Sequence, residues 1–207
     1  MNQNPDIIPE GLPAHLPEGE SLVWQGQPDW KSLAINAFHI RKVALYFAGI
    51  ILAQGAFKYA SGGSAFESVP GLIGLALAAC AILAALAYAS AKTTRYTLTS
   101  KRALMKVGIA LPVIINLPLR QIDGASFAHT GKGFGTIVFK TGGETRLAYL
   151  LLWPHAKPWH FTKPQPAFRD IADVEAVASR LTIALGGHMP VGEAQSTTPQ
   201  GHMVPAE

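Results

Sequence analysis

The strongest constraint on this chain is an uncharged run of 23 residues, Val69 to Ala91, reading VPGLIGLALAACAILAALAYASA. A helix of that length extends about 34 Å at about 1.5 Å per residue. The hydrocarbon core of a bilayer is about 30 Å thick. A soluble helix that is apolar on every face would need a core wrapped around it along its whole length. The run is therefore expected to cross a membrane, and the function is to be sought there.

A second apolar stretch lies upstream. Val43 to Phe57 carries no charge and a single amide, Gln54. Phe38 and Ile40 extend it at one end, Tyr59 and Ala60 at the other, and Lys58 can snorkel its amine to the interface. The competing reading is a buried globular helix. The connector Ser61–Ser68 suits a tight turn, with Gly62 and Gly63 accepting positive φ at little cost. Residues 39–91 thus read as a transmembrane hairpin with helices over about 40–60 and 69–91. Lys31, Arg41 and Lys42 precede it, and Lys92, Arg95, Lys101 and Arg102 follow it, whereas the connector has no Lys or Arg. Basic flanks stay cytoplasmic, so both termini are expected on that side of a multi-pass protein. The first 30 residues hold five acidic residues and no Lys or Arg, unlike a cleavable signal peptide.

The one cysteine, Cys80, sits mid-span and excludes an internal disulfide or a multi-cysteine metal site. Residues 92–185 hold 13 Lys/Arg against Asp123, Glu144, Asp170, Asp173 and Glu175, a balance of +8. A basic domain tethered to the cytoplasmic leaflet is attracted to anionic headgroups. An ordinary positive-inside juxtamembrane domain explains the same charge. The cations are scattered rather than gathered on one helix, which argues against nucleic acid as a partner.

After Ala91 the period changes. Thr93–Ser100, Arg102–Ile109, Pro112–Leu117 and Leu119–Ala128 read as strands, the last kinked at Gly124. Phe134–Lys140 and Glu144–Leu151, joined through Gly142-Gly143, read as a hairpin. Trp153–Pro166 has four prolines and no periodicity, so it reads as a loop. Ile171–Leu185 reads as a helix, with Asp173 as N-cap and Val174, Val177, Leu181 and Leu185 on one face. A helix start also accounts for Asp170 and Asp173 without invoking acid/base chemistry. The expected fold class is α+β: a two-helix transmembrane hairpin plus a small split β-barrel of about six or seven antiparallel strands, capped by the C-terminal helix. The expected organisation is an N-terminal cytoplasmic segment over 1–38, the hairpin over 39–91, the barrel over 92–186 and a disordered tail over 187–207.

The stretches RYTLTSKRALMKVG (95–108), LPLRQI (117–122) and GFGTIVF (133–139) resemble the bacterial pleckstrin-homology (PH)-like domain that follows a two-helix hairpin. In such proteins a Trp-containing strand precedes the hairpin, and Leu16–Pro28 fits that slot. The resemblance implies that a strand near 20–27 joins the barrel. More closely, PEGESLVWQGQPDW (17–30), FHIRKVALYF (38–47), INLPLRQID (115–123), AYLLLWPHAKPW (148–159) and KPQPAFRDI (163–171) resemble the PuhB-type photosynthetic complex assembly proteins of purple bacteria. Trp-Pro-His-x-x-Pro-Trp is the most specific part. The resemblance implies a non-enzymatic factor that helps assemble the photosynthetic reaction centre with its core light-harvesting complex in the cytoplasmic or intracytoplasmic membrane. The implied partners are subunits of those complexes and membrane lipids; a homodimer through either helix stays open. A generic membrane PH-like protein that binds lipid headgroups or envelope proteins is the alternative.

Contact candidates follow from the ring-rich loop. Trp153, His155, Pro158, Trp159 and His160, with Lys157, suit a membrane interface or a protein contact, although tryptophans closing the barrel would explain the rings equally well. Arg146 and Lys163 are further cations near it, and Arg41 and Lys42 are basic contacts at the mouth of the first helix. His39 could, in a protein that handles pigment complexes, ligate the magnesium of bacteriochlorophyll; no other cofactor and no metal is expected. His129–Gly135 (HTGKGFG) does not fit the P-loop spacing, and no helix follows to receive an anion. No catalytic constellation emerges.

Overall fold

Two long helices leave the body of the molecule in this computed structural model, which describes residues 12, 15–64, 69–131, 133–142, 152–156, 164–186 and 192–193. They are α2 (Ile40–Ala60) and α3 (Val69–Thr93), preceded by a short α1 (Trp30–Asn36). Both long helices are long and apolar enough to cross a membrane. α2 buries none of its residues, and Leu45, Leu52 and Phe57 stand exposed along it. Apolar faces of this extent are not left in water. They are built for lipid or for a partner helix.

The strands are β1 (Leu22–Gly26), β2 (Arg95–Thr99), β3 (Arg102–Val107), β4 (Val113–Pro118), β5 (Ile122–Gly131), β6 (Phe134–Thr141), β7 (Ala167–Ala172) and the two-residue β8 (Gly192–Glu193). One sheet runs β1-β2-β3-β4 and the other β7-β6-β5-β8. All pairings are antiparallel except β5 with β8. The C-terminal helix α4 (Val174–Ala184) covers the barrel with Val174, Val177, Ala178 and Leu181. The PH-like architecture expected from the sequence is present. Alternation along β3 explains its place: Ala103, Met105 and Val107 enter the core, alongside Tyr96 and Leu98 from β2 and Ile115 and Leu117 from β4.

β1 pairs with β2 although all three helices lie between them in sequence, so the helical hairpin is an insertion between two neighbouring strands. A clasp fixes the chain ahead of β1. Arg102 donates from Nε to Glu20 Oε1 at 2.8 Å and from Nη2 to Oε2 at 2.6 Å, a paired geometry that charge assistance strengthens. α1 acts as a foot under the hairpin, with Leu33, Ala34 and Phe38 packing against Ala87 and Ala91 of α3. Asp29 caps α1, its Oδ2 accepting from Ser32 N–H at 2.8 Å.

Several local expectations change. Leu119–Gln121 is a 3-10 turn, and β5 begins only at Ile122, with a register shift between Ile122 and Gly124. The segment expected to begin a helix at Ile171 is instead β7, and α4 starts at Val174. Asp170 therefore belongs to a strand rather than to a helix start. Asp173 holds the N-cap position with φ of 50° and makes no side-chain cap bond. The hairpin partner expected over Glu144–Leu151 lies outside the described residues, as does most of the tail.

Candidate functional site

The hairpin meets the barrel at a buried joint of polar side chains. α3 brings Ser90 to the junction, Thr94 follows its last turn, and β2 begins immediately afterwards with Tyr96. The turn Leu152–Ala156, which contains a cis Trp153–Pro154 peptide bond, carries His155 inward. An isolated bridge between Ala156 and Pro166, with the Ala167 N–H donating to the His155 carbonyl at 2.9 Å, ties this turn to β7.

His155 is 1 % exposed, and both ring nitrogens are engaged. Nδ1 lies 2.6 Å from Tyr96 Oη, and Nε2 lies 3.0 Å from Thr94 Oγ1. The proton placement follows from counting donors. Thr94 spends its hydroxyl hydrogen on the Ser90 carbonyl at 2.7 Å, so its oxygen accepts from Nε2–H. Nδ1 is then the acceptor for the Tyr96 hydroxyl, which itself accepts from the Arg169 N–H at 3.2 Å. Donor follows donor from β7 to α3. Ser90 Oγ lies 3.4 Å from Nε2 at the far end.

Burial pushes the His155 pKa down to about 3, with Arg169 adding to the effect. Burial likewise raises that of Tyr96. Both groups are neutral at physiological pH, which a sealed joint requires. The joint extends through Arg169, whose Nη1 donates to the Pro154 carbonyl at 3.1 Å and Nη2 to the Asn36 carbonyl at 3.3 Å. Asn36 Nδ2 donates to Asp170 Oδ1 at 2.8 Å. Helix foot, hairpin, barrel and Trp-Pro-His turn are thus locked together. This arrangement positions elements relative to one another.

The contact candidates separate in space. Trp153 is 48 % exposed and sets its ring edge-on to Phe38 at 5.1 Å. It borders an apolar cleft of about 220 Å³ with Phe38, Leu86, Ile109 and Pro154. His155, two residues on, faces the interior, where a partner does not reach it. Arg41 and Lys42 are exposed in the first turn of α2. His39 is exposed, precedes that helix with φ of 54° and makes no side-chain cap bond. Lys157, Pro158, Trp159 and His160, like Arg146 and Lys163, lie outside the described residues. Among the described residues no cluster of His, Cys, Asp and Glu could hold a metal ion. Sequence reasoning missed Ser90, Thr94, Tyr96 and Arg169 as partners of His155. Ser90, Thr94 and Tyr96 lie 59 to 65 residues from it along the chain, which leaves no local pattern to find, and Arg169 reaches it only through the Tyr96 hydroxyl.

No solved structure matches the chain. A Rhodobacter capsulatus protein, described as an uncharacterized 23.7 kDa protein in the 5′ region of puhA, is 41 % identical over 188 residues, covering 86 % of each chain. The family profile for the bacterial PH domain matches residues 39–183, which takes in the helical hairpin and strands β2 to β7 of the barrel. The chain belongs to the bacterial PH domain family.

Proposed function

We propose that the chain is a non-enzymatic membrane assembly factor of the PuhB type, which binds subunits or intermediates of the reaction centre and core light-harvesting complex at the cytoplasmic face. The observation that carries this reading is the relative encoded in the 5′ region of puhA, similar along nearly the whole chain. The sequence resemblance to PuhB-type proteins points to the same setting. In this reading α2 and α3 cross the cytoplasmic membrane, and the termini and barrel lie on the cytoplasmic side, where Arg41, Lys42 and Lys92 flank the helices. Exposed faces of α2 meet partner helices. Trp153, with Lys157, Pro158, Trp159 and His160 that follow it in the sequence, meets the partners' cytoplasmic parts. A binding role of this kind needs a rigid relation between hairpin and barrel, and the His155 joint supplies one.

The test is recovery of partners. A tagged full-length copy, purified in mild detergent from cells building photosynthetic membrane, should retain reaction-centre or antenna polypeptides in excess over an unrelated two-span protein. A deletion strain with normal amounts of both complexes would overturn the proposal.

A further inference from the structure

We infer that the outer edge of β5 is an acceptor for one extended strand, and that the chain's own C-terminal segment at Gly192–Glu193 occupies it as an intramolecular ligand. β5 is the last long strand of its sheet, in the order β7-β6-β5-β8. β6 pairs with it from Ile122 to Gly131, with two register shifts. On the opposite edge β8 pairs only at Ser126 and Phe127. Among the described residues no other strand pairs with that edge. An edge strand of ten residues presents a row of N–H and C=O groups to any extended chain.

The pairing itself identifies the occupant. β8 falls within residues 187–207, which carry no strand pattern. Glycine and glutamate are poor strand formers, and Pro190, two positions earlier, has no N–H to add to a ladder. The segment has little tendency to extend by itself, so its pairing reflects what the edge accepts. The pairing is parallel, unlike that of β5 with β6, and β8 is therefore not the return strand of a hairpin. Five residues separate Gly186, just past α4, from Gly192. A short linker gives an effective concentration on the order of millimolar, which seats a contact of two residues that separate molecules would not hold. α4 starts beside the same strand, with Glu175 Oε1 3.2 Å from Nε2 of His129 on β5. Phe127 on β5, and Ala184 and Leu185 at the end of α4, are only partly buried against the core. They leave apolar surface on which an incoming strand can rest a side chain. A longer, proline-free segment of a partner protein, rich in β-branched residues, would pair with more of β5 and displace the tail. This acceptor does not depend on the assembly role proposed above.

The experiment uses full-length protein in mild detergent. Wild type is compared with Gly192→Pro/Glu193→Pro, which cannot complete the ladder, and with Gly192→Val/Glu193→Thr, which raises strand propensity. Hydrogen exchange over Ala125–Ala128 should be about fivefold faster or more in the proline variant and slower in the other, with β2 and β3 unchanged. The acceptor is probed with a labelled synthetic peptide of residues 188–199 carrying Gly192→Val and Glu193→Thr. By fluorescence anisotropy it should bind the proline variant, and wild type several-fold more weakly. Unchanged exchange at β5 in both variants, or acceleration spread equally over β2 and β3, would overturn the tail as occupant. So would equal binding of the peptide by wild type and the proline variant. No binding by the proline variant would overturn the acceptor.

Discussion

The hydroxyl of Tyr96 on β2 sits 2.6 Å from Nδ1 of His155, a residue 59 positions further along the chain, with both side chains buried. That bond joins the first strand after the hairpin to the Trp-Pro-His turn. Tyr96 Oη also accepts from the Arg169 N–H. Tyr96→Phe therefore leaves two buried groups without a partner, the ring nitrogen and a backbone N–H. Each such loss costs about 1–3 kcal/mol, so the variant should lose about 2–6 kcal/mol in denaturant unfolding of the detergent-solubilised protein. Tyr59→Phe, at a position 85 % exposed, should stay within about 0.5 kcal/mol of wild type.

The same histidine sets a pH dependence. Its folded pKa is lowered to about 3, whereas the unfolded chain holds it near about 6.5. Between those values the unfolded state binds the extra proton, so stability falls as pH falls. Linkage gives a loss of about 2 kcal/mol on going from neutral pH to about pH 5. His155→Gln keeps a donor for Thr94 and removes the titrating group. It should be less stable at neutral pH yet flatter between pH 7 and 5. A slope as steep as that of wild type would show that other groups titrate there.

Lower in pH a second group takes over. The hydrogen bonds from Arg102 hold the Glu20 carboxyl below its ordinary range, against the opposing effect of its burial. A depressed carboxylate contributes stability above its unfolded pKa of about 4.3 and loses it as pH falls towards the folded value. Glu20→Gln removes the charge and half of the paired geometry, at a cost of about 1–3 kcal/mol. The cost should be full at pH 7 and shrink below about pH 4, as read from unfolding midpoints at each pH.

What the sequence discloses follows from what is local. The run Val69–Ala91 needs no partner to be recognised, because its length and lack of charge are properties of the segment. β2 to β4 show themselves through alternating residue types, such as Tyr96 and Leu98 against Thr97 and Thr99, although in β2 both faces are buried. β7 does not. Ala167 to Ile171 are buried without a break, and the polar pair Arg169-Asp170 lies among them, so no period of two survives and the segment merges with the helix behind it. α1 has only seven residues, about two turns, too few to establish a helical period. The candidate site divides in the same way. Trp153 is recognisable as a ring in a proline-rich loop. The inward turn of His155 depends on Thr94 and Tyr96, which only the folded chain brings near it.

Two aromatic residues can tell a contact surface from a core. Phe168 is buried, stacked on Tyr96 at 4.7 Å and edge-on to Phe139 at 4.8 Å. Phe168→Ala removes a ring that the barrel cannot refill, for a loss of about 3–5 kcal/mol. Trp153 makes its ring contact with Phe38 at the surface, and such a pair contributes about 0.5–1.5 kcal/mol beyond its area. Trp153 is half-exposed, so Trp153→Ala should cost less than Phe168→Ala and leave the protein folded. If the loop serves the proposed assembly role, the same variant should recover fewer reaction-centre or antenna polypeptides in tagged purification, since exposed tryptophans concentrate binding energy. A folded Trp153→Ala protein with undiminished recovery would move the contact surface away from this residue, to the exposed faces of α2.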